Sequence, residues 1–177
     1  MAKFADWLSD IQYETVHGEP SVPEVREVVF DSRKAVAGTL FNAMKGANVD
    51  AHRFIPAVIV QGCQAIVIEE DPSEFGLDLA MVPAEVAIIR VENARASLAA
   101  LSAARFDHPS REMTVIAITG TKGKTTTAHM IQQILEDAGE KVGCIGTTGV
   151  EYCGHHLPTK NTTPESYDLQ HYFRMMR

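Results

Sequence analysis

The 177-residue sequence contains no apolar run near the ~20 residues that a membrane-spanning helix needs, so no membrane insertion is expected. Its opening stretch, MAKFADWLSDIQYE, lacks both a continuous apolar core and an A-x-A-like cleavage site, and does not read as a secretory signal. Excess positive charge is missing too. The 16 Lys and Arg against 23 Asp and Glu leave a net charge of −7, which argues against a nonspecific grip on nucleic acid. Cysteine is scarce: Cys63, Cys144 and Cys153 form no C-x-x-C pair and fit a reducing, cytoplasmic setting. Any phosphate ligand must therefore be held by a local arrangement and not by overall charge.

The sequence does have the balance of a globular protein, with 45% hydrophobic and 22% charged residues. Short β-branched runs alternate with helical patterns, which predicts an α/β fold. Val28–Phe30, Leu40–Met44, Ala65–Ile68 and Val86–Ile89 read as strands. Phe4, Trp7, Leu8 and Ile11 recur at helical spacing. Residues 50–61 read as a helix, provided Pro56 falls in its first turn, with Gly62 as the stop. A further helix follows Asn93, a good N-cap, and carries Leu98 and Leu101. It stops near Phe106-Asp107-His108-Pro109-Ser110, a plausible hinge, so residues 1–110 form one expected domain and 111–177 begin a second.

The second region opens on Thr114–Ile118, which reads as a buried strand, followed by a glycine-containing turn and a helix bearing Ile131, Ile134, Leu135 and Ala138. Val142–Thr147 reads as the next strand, completing a βαβ unit. Leu169, Tyr172, Phe173 and Met176 place a last helix from Pro164 onward. At roughly 65 residues, this region is small for an independent α/β domain and reads as one cut short.

The turn holds Gly123-Lys124-Thr125, the end of a phosphate-binding loop. The general G-x-x-x-x-G-K-[ST] spacing would put its first glycine at 118, where Ile118 stands; the upstream glycine is Gly120. The chemistry is nonetheless complete. Gly120 and Gly123 allow close backbone approach to an anion, Lys124 supplies charge, and Thr125 or Thr126 offers a hydroxyl to Mg²⁺. The helix that follows directs its N-terminal dipole at the same point.

Gly120-Thr121-Lys122-Gly123-Lys124-Thr125-Thr126 resembles the shorter loop of the Mur ligases and their folylpolyglutamate synthetase relatives, with Lys122 where asparagine or histidine is common. Asp31-Ser32-Arg33, then Gly38-Thr39-Leu40-Phe41, then Lys45 to Ile55 resemble the amino-terminal, UDP-binding domain of that family. Gly146-Thr147-Thr148-Gly149 and Asn161-Thr162-Thr163-Pro164-Glu165 are similar to its MurE-type members and unlike the MurF type. Taken alone, Asp31-Ser32-Arg33 is an ordinary polar turn, and Thr163-Pro164 would serve as N-cap and N1 of the last helix. The ordered set carries the resemblance.

The resemblance implies a small UDP-binding α/β domain followed by the start of a P-loop-type ATP-binding domain with a mostly parallel sheet, the third domain of the family being absent. It implies ATP and Mg²⁺ as cofactors, and UDP-N-acetylmuramoyl-dipeptide and an amino acid as small-molecule partners. Gly120, Thr121, Lys122, Gly123, Lys124, Thr125 and Thr126 would hold ATP, with Lys124 on the β/γ-phosphates and Thr125 on the metal. Phe30, Ser32, Ala47, Asn48 and Val49 would hold the UDP end, and Asn161, Thr162 and Thr163 the peptide end. The implied reaction is amide ligation in bacterial peptidoglycan synthesis, of which the 177 residues alone would be incapable. Within the same class a MurF-like or other Mur-type ligase is the alternative, and from a different class a non-catalytic UDP-binding remnant. Cys153-Gly154-His155-His156 reads as a hairpin tip rather than a zinc site, and Glu69-Glu70-Asp71 as a solvated strand end.

Overall fold

A computed structural model describes residues 2–46, 49–159 and 162–177. The chain divides into two compact units, Met1–Asp107 and His108–Arg177. Asp107 and His108, at the division, both adopt left-handed φ, 59° and 50°.

The first unit is built on a five-stranded sheet. Chain order gives β1 (Ala2–Lys3), β2 (Glu14–His17), β3 (Glu24–Val25), β4 (Glu27–Val29), β5 (Thr39–Asn42), β6 (Ala65–Ile68) and β7 (Ala87–Arg90). Strands β4, β5, β6 and β7 run parallel in that order, and β2 closes the β7 edge antiparallel. Strands β1 and β3 form a separate antiparallel pair. A parallel strand covered on both faces needs apolar residues at every position, which is what Ala65-Ile66-Val67-Ile68 provides; all four are fully buried. Phe41, Ile66, Ile68 and Ile88 face one core cluster with Ile55 and Val58 of α1 (Ile55–Val60). Their alternating neighbours Leu40, Val67 and Ile89 are buried on the opposite face. Leu98 and Leu101 of α2 (Ala94–Arg105) are buried as well. Each such side chain contributes about 1.5–3 kcal/mol when fully buried.

Several expected elements shift. The helix at 50–61 is a 3₁₀ turn, Ala51–Phe54, leading into α1, because Pro56 fits only the first helical turn. The amino-terminal helix shrinks to one 3₁₀ turn, Phe4–Trp7, whose Phe4 and Trp7 are buried. Asn93 caps α2 as expected, its side-chain oxygen accepting from the Ala96 N–H at 2.8 Å. Strand β2 has no signal of its own in the sequence, since Glu14-Thr15-Val16-His17 is polar. Its pairing with β7 is what makes it a strand.

In the second unit, α3 (Lys124–Asp137) precedes an antiparallel meander of β8 (Gly143–Gly146), β9 (Gly149–Tyr152) and β10 (His155–Leu157), followed by α4 (Ser166–Met176). Gly143 lets α4 approach β8 closely; a Cβ there would lie 2.5 Å from the Met176 sulfur. The expected strand at 114–118 does not form. No described strand pairs with it, and Val115 and Ile116 are 49% and 55% exposed. An apolar run becomes a strand only where a neighbour takes its N–H and C=O groups, and β8 finds its partner in β9 instead. The βαβ unit expected over 114–147 is therefore absent among the described residues. Met130 and Ile134 of α3 are likewise exposed, at 61% and 67%. Helix α4 starts at Ser166 with Glu165 at the N-cap, so Thr163 does not cap it. No helix among the described residues is long and apolar enough to cross a membrane.

Candidate functional site

The phosphate-type loop forms the entry to α3. Gly123 is the N-cap in the left-handed region, φ 79° and ψ −5°, a conformation that costs any residue with a Cβ. Having no side chain, it leaves the first-turn N–H groups without a side-chain cap, open to an anion. The Lys124 ammonium turns back over the loop and donates to the Gly120 carbonyl at 2.5 Å. The cation is thus held over the loop by a neutral carbonyl. The Thr125 hydroxyl lies 3.0 Å from that of Thr147, in the two-residue turn between β8 and β9. Thr121, Lys122 and Thr126 are exposed on the loop and first turn. Backbone N–H groups, one ammonium and a hard hydroxyl oxygen together suit a polyphosphate with a divalent cation, and the Thr125 oxygen is of the donor class that Mg²⁺ accepts.

In the first unit, the parallel strands bring Phe30, Ser32 and Val49 to the carboxyl edge of one sheet. Phe30 and Ser32 follow the carboxyl end of β4, Val49 lies in the loop after the carboxyl end of β5, and Glu69 follows that of β6. Ligands of open α/β sheets bind at that edge. Ala47, Asn48 and Asn161 lie outside the described residues.

Asp31 caps the 3₁₀ turn Ser32–Lys34 by accepting from the Arg33 N–H at 3.1 Å. The Arg33 guanidinium grips the same carboxylate through Nε at 2.9 Å and Nη2 at 2.6 Å. That hydrogen bonding holds the Asp31 carboxyl down to about 2. Asp31-Ser32-Arg33 is thus a closed turn that fixes Ser32.

The loop after β5 is held more firmly than its sequence suggests. Lys45 and Asp50 form an antiparallel bridge, and the Gly46 N–H donates to the Val49 carbonyl at 2.9 Å. The Lys45 ammonium pairs with Glu70 at 2.6 Å. His52, fully buried, bonds Asp50 through Nδ1 at 2.6 Å and accepts the Glu69 N–H at Nε2, 3.0 Å away. Glu69-Glu70-Asp71 is therefore an anchor and not simply a solvated strand end, as Asp71 also pairs with Arg90 at 3.0 Å. Asp50, His52 and Glu70 lie close enough to hold a metal ion, but both ring nitrogens of His52 are already spent on protein partners. Sequence alone gives Asp50 and His52 no role, and their spacing at the start of one 3₁₀ turn is the signal available for them.

Thr162 and Thr163 are exposed in a bend before α4. The Thr159 hydroxyl donates to the Gly146 carbonyl at 3.3 Å, tying Thr159 to the base of the β8–β9 turn. Cys153-Gly154 is the turn of the β9–β10 hairpin, with Cys153 exposed at φ 46° and Gly154 at φ 77°. Among the described residues it belongs to no metal-ligating cluster.

Comparison with known proteins gives this geometry a family. Residues 24–106 match the Mur ligase family, catalytic domain, and residues 118–177 match the Mur ligase middle domain. The chain is 36% identical over 174 residues to a UDP-N-acetylmuramoyl-L-alanyl-D-glutamate–2,6-diaminopimelate ligase of Caldanaerobacter subterraneus subsp. tengcongensis, covering 98% of this chain and 34% of that protein. It is 39% identical over 166 residues to a UDP-N-acetylmuramyl-tripeptide synthetase of Roseiflexus sp., covering 92% and 31%. It thus spans about a third of the length of these relatives. Among solved structures, a UDP-N-acetylmuramoyl-L-alanyl-D-glutamate–2,6-diaminopimelate ligase superposes over 99% of this chain and 33% of its own, with TM-score 0.68 at 19% identity, which shows the fold. MurF from Acinetobacter baumannii superposes over 76% of this chain and 27% of its own, with TM-score 0.53 at 31% identity. With two consecutive Mur ligase matches over most of its length and a mixed α/β fold around a mostly parallel central sheet, the chain belongs to the Mur ligase family.

Proposed function

We propose that these residues are part of an ADP-forming, MurE-type ligase of bacterial peptidoglycan synthesis, acting in the cytoplasm. Residues 1–110 form its UDP-substrate-binding domain and residues 111–177 the opening of its ATP-binding domain. The observation that carries this reading is the Gly120–Thr126 loop, with its Lys124 cation and Thr125 hydroxyl at the head of α3, in a chain whose relatives are named for this ligation.

In the proposed reaction, the D-glutamate carboxylate of UDP-N-acetylmuramoyl-L-alanyl-D-glutamate attacks the γ-phosphorus of ATP. The bond to the bridging oxygen breaks, ADP leaves, and an acyl phosphate forms. The amine of meso-diaminopimelate or L-lysine then adds to the acyl carbon, phosphate departs, and the amine gives up a proton as the amide forms. Positioning and charge neutralisation are the protein's contribution. Lys124 leaves the Gly120 carbonyl for the β/γ-phosphates, while Gly120, Thr121, Lys122, Gly123 and Thr126 line the phosphate chain. The Thr125 hydroxyl holds Mg²⁺, whose charge offsets that of the phosphates when bound. Phe30, Ser32 and Val49, with Ala47 and Asn48, hold the UDP end at the carboxyl edge of the first sheet. Thr162 and Thr163, with Asn161, hold the peptide end.

Titration of the chain with ATP and Mg²⁺, and separately with UDP-N-acetylmuramoyl-L-alanyl-D-glutamate, tests the assignment. Lys124→Ala should lose at least tenfold in nucleotide affinity and keep its affinity for the UDP ligand. Unchanged nucleotide affinity in that variant refutes the loop assignment, and no binding of the UDP ligand by the wild-type chain refutes the first-unit assignment.

A further inference from the structure

The turn Thr147-Thr148 is held on three sides. Gly146 and Gly149 pair across its base, the His156 Nε2–H donates to the Thr148 carbonyl at 2.8 Å, and the Thr159 hydroxyl holds the Gly146 carbonyl at 3.3 Å. Gly149, at φ 121°, packs so closely on β10 that a Cβ would lie 2.5 Å from the Leu157 carbonyl oxygen. The turn thus sets where the Thr147 side chain stands, and its hydroxyl oxygen lies 3.0 Å from that of Thr125, the second residue of α3.

A hydroxyl that ligates a cation presents a lone pair to it and must direct its hydrogen elsewhere. Left to water, the Thr125 hydroxyl samples orientations that point the hydrogen at the cation. An acceptor fixed beside it removes those orientations. We infer that Thr147 is a positioning residue: its oxygen accepts the Thr125 hydrogen and so aims the Thr125 lone pairs at the divalent cation that accompanies the nucleotide. This rests on the phosphate-loop reading above and adds a residue from a different element to it. One short hairpin turn therefore sets the Thr147 hydroxyl beside Thr125 and has the Gly146 carbonyl at its base held by Thr159.

The test compares the affinity of the chain for ATP with Mg²⁺ and in EDTA, so that the readout is the metal-dependent gain in binding and not turnover. Thr147→Val, which keeps the shape and loses the hydroxyl, should reduce that gain about five- to tenfold, the range of one net hydrogen bond, and leave metal-free affinity unchanged. Thr147→Ser should retain the wild-type gain. Amide exchange across β8–β10 checks that the hairpin stands; if valine disrupts it, Thr147→Ala takes its place. An undiminished gain in the variant lacking the hydroxyl, or an equal fall in metal-free affinity, overturns the inference. Wild-type binding without any metal-dependent gain overturns it while sparing the loop; no nucleotide binding at all overturns both.

Discussion

The buried imidazole of His52 accepts the backbone N–H of Glu69 at 3.0 Å, linking the loop after β5 to the carboxyl end of β6. Since an amide N–H can only donate, Nε2 must be the acceptor and Nδ1 carries the hydrogen given to Asp50. One side chain thereby satisfies a backbone donor at the end of a strand and pins the base of a loop whose Val49 stands at the candidate nucleotide edge.

Replacing His52 should consequently be costly. His52→Ala leaves a cavity and an unpaired Glu69 N–H, and should destabilise the first unit by about 3–4 kcal/mol. Trp7, the sole tryptophan and buried in that unit, reports its unfolding in denaturant. A loss under about 1 kcal/mol would show that the clamp is unimportant.

The Asp31–Arg33 pair predicts a specific pH dependence. The Asp31 carboxyl, lowered from 3.8 to about 2 by the Arg33 hydrogen bond, contributes stability that is fully present above pH about 4 and lost as pH falls towards 2. Asp31→Asn keeps the cap and removes the charge. Because the Arg33 side chain is 87% exposed, the cost at neutral pH should stay below about 1 kcal/mol. The gap between variant and wild type, read from denaturant midpoints, should be constant from pH 5 to 8 (about the range in which both states are ionised) and close near pH 2. A gap that widens on acidification contradicts the sign.

Two glycines of the second unit should differ in their tolerance of alanine. At Gly123 only the left-handed φ is at stake, since a Cβ would meet nothing within 4 Å, and the cost should be about 1 kcal/mol. At Gly149 a positive φ is joined by a backbone collision 2.5 Å away, so Gly149→Ala should open the β9–β10 hairpin. Amide exchange distinguishes them: lost protection at Val150 and Leu157 in the second variant only.

The segment 114–118 offers a direct check on the missing strand. Ile116→Ala should change stability by less than about 0.5 kcal/mol, and its amides should exchange freely. Ile66→Ala, in a wholly buried strand, should cost about 3 kcal/mol or more. Strong protection at residues 114–118 would place them in a sheet after all.

Residues carrying their own structural instruction were legible from sequence. Asn93 caps α2, Gly62 at φ 89° stops the chain after α1, and the unbroken apolar run of β6 declares a strand. The turn at Gly120–Gly123 that opens α3 was legible because its signal is local: two glycines just ahead of a helix. Tertiary structure alone decided the rest, because a strand exists only with a neighbour. It made Glu14–His17 a strand and left the far more apolar Thr114–Ile118 without a partner strand among the described residues. It also brought Thr147 to Thr125 and His52 to Glu69, pairs separated by 22 and 17 residues, whose meeting depends on how the elements pack and on nothing in either residue's own surroundings in the sequence.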